Sequence, residues 1–143
     1  EYMLKNSYKN IDYSGLDISQ KFVDVAQKKH PTNSFYCSDI LDSNATIQNF
    51  DYIVMNGIFT EKRELSFDDM WGYFRRMLIT IYDKCNRGFA FNVMSKNVAW
   101  EREDLFHVPH DLLSDFLCKN ITRNYIMRND YGLYEYTVYV LKK

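Results

Sequence analysis

Tyr13-Ser14-Gly15-Leu16-Asp17-Ile18-Ser19 is the stretch on which the fold turns. Residues 11–16 read as a short apolar strand that runs into an acid. Ser19 then offers an N-cap oxygen to the free N–H groups of a helix start. Phe22, Val25 and Ala26 recur at helical spacing, which predicts an amphipathic helix over Gln20–Lys29, stopped by Pro31. A second strand, Ser34–Cys37, runs into Ser38-Asp39-Ile40, followed by a polar stretch.

The alternation continues outward. Phe50–Met55 is a strand whose continuous apolar run Tyr52-Ile53-Val54-Met55 predicts burial on both faces. Asn56-Gly57 ends it. Ser66 caps a long helix, with Phe67, Met70, Trp71, Phe74, Leu78 and Ile81 on its buried side and Arg87-Gly88 closing it. Residues 89–94 form another buried strand. A charged, aromatic segment follows, and then a helix opening at Pro109. Residues 122–128 and 133–141 are strands joined by a short turn, which predicts an antiparallel hairpin. Strand–helix alternation with a terminal hairpin implies an α/β fold with a mainly parallel sheet and helices on both faces.

Composition narrows the classes. The 143 residues suit a single domain, 1–143. With 18 Lys+Arg against 19 Asp+Glu the net charge is -1, which argues against a dedicated nucleic-acid partner. No apolar run reaches the roughly 18–20 residues that span a bilayer, so no membrane role is expected. Cys37, Cys85 and Cys118 are odd in number and widely spaced, which predicts reduced thiols in a cytoplasmic setting. His107 and His110 form an H-x-x-H pair near Glu103, Asp104 and Asp111, but Pro109 stands between the rings. An ordinary loop before a helix is the better reading, and no metal site is expected.

In sheets of this kind ligands sit beyond the carboxyl ends of the strands. Those ends carry Asp17-Ile18, Asp39-Ile40 and Asn56-Gly57-Ile58. A strand-end carboxylate can accept bonds from both ribose hydroxyls, and a second, one strand over, from an adenine amino group. The apolar residue beside each supplies a wall for the ring. Singly, Asp17 is explained as a helix-start acid and Asp39 as an Asx turn. As a pair at matched positions they describe an adenosine-shaped slot.

The runs 13–19, 35–40 and 50–57, with the terminal hairpin, resemble the Rossmann-like S-adenosylmethionine-dependent methyltransferases over nearly the whole chain. The resemblance implies S-adenosylmethionine as cofactor and S-adenosylhomocysteine as product. It implies that Asp17 binds the ribose, that Ile18 and Ile40 pack on adenine, and that Asp39 meets its amino group. It further implies that Asn56, Gly57 and Ile58 line the methionine end and face a small-molecule acceptor. No catalytic base stands out. Trp100 and Phe106 are candidate walls for the acceptor, and Arg102 a candidate partner for an anionic group.

One feature departs from that family. Its members open with a strand and a glycine-rich loop, commonly G-x-G-x-G, ahead of the ribose acid. No such pattern stands here, and residues 1–10 read as the end of the helix after that loop. The expectation is a chain lacking its first, central strand. Unpaired strand edges then predict strand exchange or a homo-oligomer. Two other readings remain: a nicotinamide-dinucleotide-binding oxidoreductase, since an acid after the second strand serves that cofactor too, and a non-catalytic binding or dimerisation module.

Overall fold

The structure, a computed structural model, describes residues 11–142. Residues 1–10, read above as a helix end, lie outside the described residues. The chain gathers into two compact units, Glu1–Thr46 and Ile47–Lys143.

In the first unit, β1 (Ser14–Asp17) and β2 (Ser34–Cys37) pair in parallel, from Ser14↔Ser34 to Asp17↔Cys37. Parallel pairing needs a crossover, supplied by α1 (Gln20–Lys29). The first strand begins later than its apolar pattern suggests because β2 offers only four partner residues. Ser19 occupies the N-cap position of α1, but its side chain makes no capping bond. Its backbone N–H instead donates to Asp17 Oδ1 at 2.7 Å. The buried position of α1 is Val23, while Phe22 and Val25 are exposed, so the face in contact lies to one side of the predicted one.

The second unit is a five-stranded sheet. β3 (Phe50–Met55), β4 (Cys85–Ser95), β7 (Glu135–Leu141) and β6 (Tyr125–Arg128) lie in the order β3-β4-β7-β6, and β5 (His107–Val108) pairs the end of β4. β3 and β5 run parallel to β4, and β7 runs antiparallel to both β4 and β6. The predicted hairpin is present, with shorter strands.

α2 (Phe67–Lys84) starts as its sequence suggests. Ser66 Oγ accepts from the Asp69 N–H at 3.1 Å, and Asp68 and Asp69 sit in the positive first turn. Its end differs from the prediction: the helix stops at Lys84, and β4 begins at Cys85 and runs through Arg87 and Gly88. Gly88 is a packing glycine, since a Cβ there would lie 2.5 Å from the Val140 carbonyl oxygen. α3 (His110–Asn120) follows Pro109.

Both helices of this unit pack on the face formed by Phe89, Phe91, Val93, Tyr136, Val138 and Val140. Phe59, Phe74, Phe91, Phe106 and Trp71 interlock there, with Phe59 and Phe74 edge-to-face at 4.7 Å. Such pairs add about 0.5–1.5 kcal/mol each beyond area burial. Phe59, Phe74, Phe91 and Phe106 are buried in this core, whereas Tyr13, Phe22, Tyr52 and Trp100 are exposed. Phe106, predicted to wall a ligand, is fully buried in it. On the opposite face Tyr52 is 61% and Val54 73% exposed, contrary to the burial on both faces that their apolar run suggests.

Candidate functional site

In the first unit the pairing Asp17↔Cys37 sets Asp17 at the end of β1 and Asp39 two residues past the end of β2. Adjacent strands lie about 4.8 Å apart. The Ser38 N–H donates to the Asp17 carbonyl at 3.1 Å, and Cys37 Sγ approaches the Ile18 carbonyl at 3.5 Å, which ties the two strand ends together. Each carboxylate spends Oδ1 on its own turn: Asp17 accepts from Ser19 N at 2.7 Å, and Asp39 from Leu41 N at 2.9 Å. These are Asx turns, so the local reading is present alongside the paired one. Among the described residues neither Oδ2 makes a hydrogen bond, which leaves an acceptor on each acid. Asp17 is half-buried, Asp39 exposed, Ile40 half-buried, and Ile18 exposed at 76%. A cavity of about 220 Å³ is bordered by Gly15, Asp17, Phe22 and Phe35, and Asp39 does not reach it.

In the second unit Asn56, Gly57 and Ile58 follow the carboxyl end of β3, all exposed. Gly57 has φ +77, the left-handed conformation that disfavours a side chain. Its N–H donates to Asn92 Oδ1 at 2.8 Å, and Asn92 Nδ2 donates to Glu135 Oε2 at 2.6 Å. Asn92 is 7% exposed, and its two part-buried bonds tie the turn to β7. Sequence reading missed Asn92 and Glu135. The signal was there: Asn92 is the one polar residue between Phe89 and Met94, and a buried amide requires partners.

The loops after β3 and β4 are joined. The Phe106 N–H donates to the Thr60 carbonyl at 2.9 Å, and the Lys62 and Arg63 N–H groups donate to the Asp104 carbonyl at 2.9 and 3.0 Å. Arg102 is held by Asp104 rather than left open for a ligand, and that hydrogen bond depresses the Asp104 carboxyl below its ordinary range. Trp100 is 70% exposed. Among the described residues no group of three or more His, Cys, Asp or Glu is arranged to hold a metal. No helix among them is long and apolar enough to cross a membrane.

This mixed α/β arrangement, with its antiparallel β7, matches the fold of solved methyltransferase structures. The chain superposes on human N-acetylserotonin methyltransferase in complex with SAM with a TM-score of 0.68 at 12% identity, covering 96% of this chain and 42% of that one. It superposes on magnesium protoporphyrin IX methyltransferase from Synechocystis PCC 6803 with bound SAM with a TM-score of 0.61 at 12% identity, covering 91% and 59%. The chain thus spans less than two thirds of the length of these structures. In sequence it is 28% identical, over 148 residues, to the Mycobacterium tuberculosis protein named "Putative methyltransferase Rv1506c", covering 99% of this chain and 85% of that protein. No protein-family model matches the chain.

Proposed function

We propose that the protein is an S-adenosylmethionine-dependent methyltransferase acting on a small-molecule acceptor. The observation that carries this reading is the pair Asp17 and Asp39, at and just past the ends of adjacent parallel strands in a methyltransferase fold, each with one carboxylate oxygen uncommitted among the described residues. The donor chemistry of a nucleoside fits them. Ribose hydroxyls and an adenine amino group donate, and ionised carboxylates only accept. Ile18 and Ile40 offer apolar surface beside each acid. In the second unit Asn56, Gly57 and Ile58 are held in shape by Asn92.

When bound, S-adenosylmethionine supplies a methyl group activated by an adjacent sulfonium. The contribution of the protein is to bind, to orient and to exclude water. Asp17 and Asp39 select the nucleoside. The turn at Gly57, pinned through Asn92 to Glu135, gives the segment after β3 one conformation, which lowers the cost of ordering it on binding. A cytoplasmic setting accords with three cysteines that are all free, two of them exposed.

The test is calorimetric titration with S-adenosylhomocysteine and, separately, NADH. Binding of the first without the second is expected, and binding of NADH alone would establish the oxidoreductase instead. Asp17→Asn keeps an acceptor for the Ser19 N–H and so preserves the turn. It removes the charge, and affinity for S-adenosylhomocysteine should drop by about tenfold or more. Unchanged affinity would remove Asp17 from the site.

A further inference from the structure

At the carboxyl end of β4, the sheet face opposite the helices carries a half-buried acid. Asn92 pairs with Thr137 and Met94 with Glu135, so all four point to that face, away from the core residues Val93 and Tyr136. Glu135 is half-buried, and its Oε2 accepts from Asn92 Nδ2 at 2.6 Å. Its Oε1 makes no hydrogen bond among the described residues. That oxygen is not closed to water either. Among the described residues that are buried or half-buried, His107 Nε2 is the one unpartnered side-chain nitrogen or oxygen that is. Glu135 therefore presents one fixed carboxylate oxygen to solvent. Asn92, which fixes it, also accepts from the Gly57 N–H at 2.8 Å, so this oxygen belongs to the same bonded group as the segment that follows β3.

The carboxylate lacks a counter-ion although cations stand near it in the register. Arg128 lies across from Thr137 on β6, diagonal to Glu135, a separation of roughly 7–8 Å that long side chains bridge. It bonds Asp130 instead. Lys96, two residues past Met94, is held by Glu101, and Arg102 by Asp104. Each of those acids has its own cation, and among the described residues Glu135 has none. A partly desolvated charge without a counter-ion is unfavourable, and a bound cation offsets that cost. Two features narrow the cation. Among the described residues no group of three His, Cys, Asp or Glu is arranged to hold a metal, and one carboxylate oxygen falls far short of a hard cation's ligand set. Oε2 is committed to Asn92, which removes the parallel two-bond grip that a guanidinium favours, whereas one N–H of an ammonium needs only Oε1. Tyr131, whose hydroxyl bonds Thr137 Oγ1 at 2.9 Å, supplies an aromatic ring at the neighbouring position of this face.

We propose that Glu135 is a specificity-determining residue whose Oε1 binds a primary or secondary ammonium group of the methyl acceptor. That the ammonium belongs to a methyl acceptor rests on the function proposed above. The ammonium site itself rests on Glu135, Asn92 and the committed cations around them. The role is recognition, and no bond forms or breaks at this carboxylate.

The experiment follows the Glu135 side-chain carboxyl by ¹³C NMR while the protein is titrated with butylammonium chloride, and separately with 1-butanol, the same chain with a neutral donor. Butylammonium should shift the Glu135 carboxyl and bind about tenfold tighter than butanol. Glu135→Gln keeps an oxygen for Asn92 Nδ2 and removes the charge, so it should erase that preference. Glu64→Gln, at an exposed acid in the loop after β3, should leave the preference intact. An unmoved carboxyl in the unaltered protein would overturn the proposal without any variant having to fold. Equal binding of the two probes would overturn it as well. So would an equal loss in the Glu64 variant, which would show attraction to any surface acid. Titration with S-adenosylhomocysteine runs separately. Butylammonium recognition without its binding would retain the ammonium site and reject the methyltransferase reading, and the converse would reject the ammonium site alone.

Discussion

Asn92 shows how one side chain can serve two elements. Its amide accepts from the Gly57 N–H and donates to Glu135, joining the turn after β3 to the start of β7. Asn92→Leu keeps the volume and removes both bonds, leaving the Gly57 N–H and the Glu135 carboxylate to water. A loss of about 1–2 kcal/mol is expected, read from the urea midpoint with an unchanged slope. Gly57 is the second sensitive residue. Gly57→Ala forces a Cβ into φ +77 although nothing lies within 4 Å of it, so the penalty is conformational, about 1 kcal/mol or somewhat more. At this scale the sequence was informative about residue type and silent about partners. Asp17 and Asp39 were legible because they end apolar strands. His107 was legible only as half of an H-x-x-H pair, and its burial belongs to the pairing of β5 with β4.

At the scale of elements, legibility followed the strength of the local signal. α1, β2 and β3 have the bounds their patterns suggest, because a proline, an Asx turn and an Asn-Gly step punctuate them. Ser66 marks the start of α2, and Ser66→Ala should cost about 1 kcal/mol, seen as a fall of about 4 °C in the thermal midpoint. The other end of α2 was misread, since Arg87-Gly88 resembles a helix terminus. Gly88 instead answers to the neighbouring strand, where Val140 leaves no room for a side chain. Gly88→Ala should therefore loosen the β4–β7 pair and destabilise by about 1–3 kcal/mol, checked by hydrogen exchange at Phe89 and Val140. β5 escaped notice because two residues make no periodic pattern.

At the scale of the whole molecule, the core of the second unit makes stability depend on alkaline pH. Burial, and secondarily the charge of Asp111, pushes the Tyr136 hydroxyl far above its ordinary value near 10, while it donates to the Val108 carbonyl at 3.2 Å. Below about pH 10 folded and unfolded chains both hold this proton. Above it the unfolded chain releases the proton first, so stability should fall with rising pH by about 1.4 kcal/mol per unit. Tyr136→Phe should flatten most of that slope in urea titrations. Burial raises Cys85 and Tyr131 in the same direction, so a smaller slope should remain. An unaltered slope in the variant would show that Tyr136 is not the group responsible. The sequence by itself determined the order of strands and helices, the terminal hairpin and the acids at the strand ends, because each is written in local periodicity and punctuation. Tertiary structure alone decided which face of the sheet is covered, why Gly88 is a glycine, and where Asn92 and His107 find or lack partners. Those properties depend on residues far apart in the chain that packing brings within bonding distance, and no local pattern encodes that.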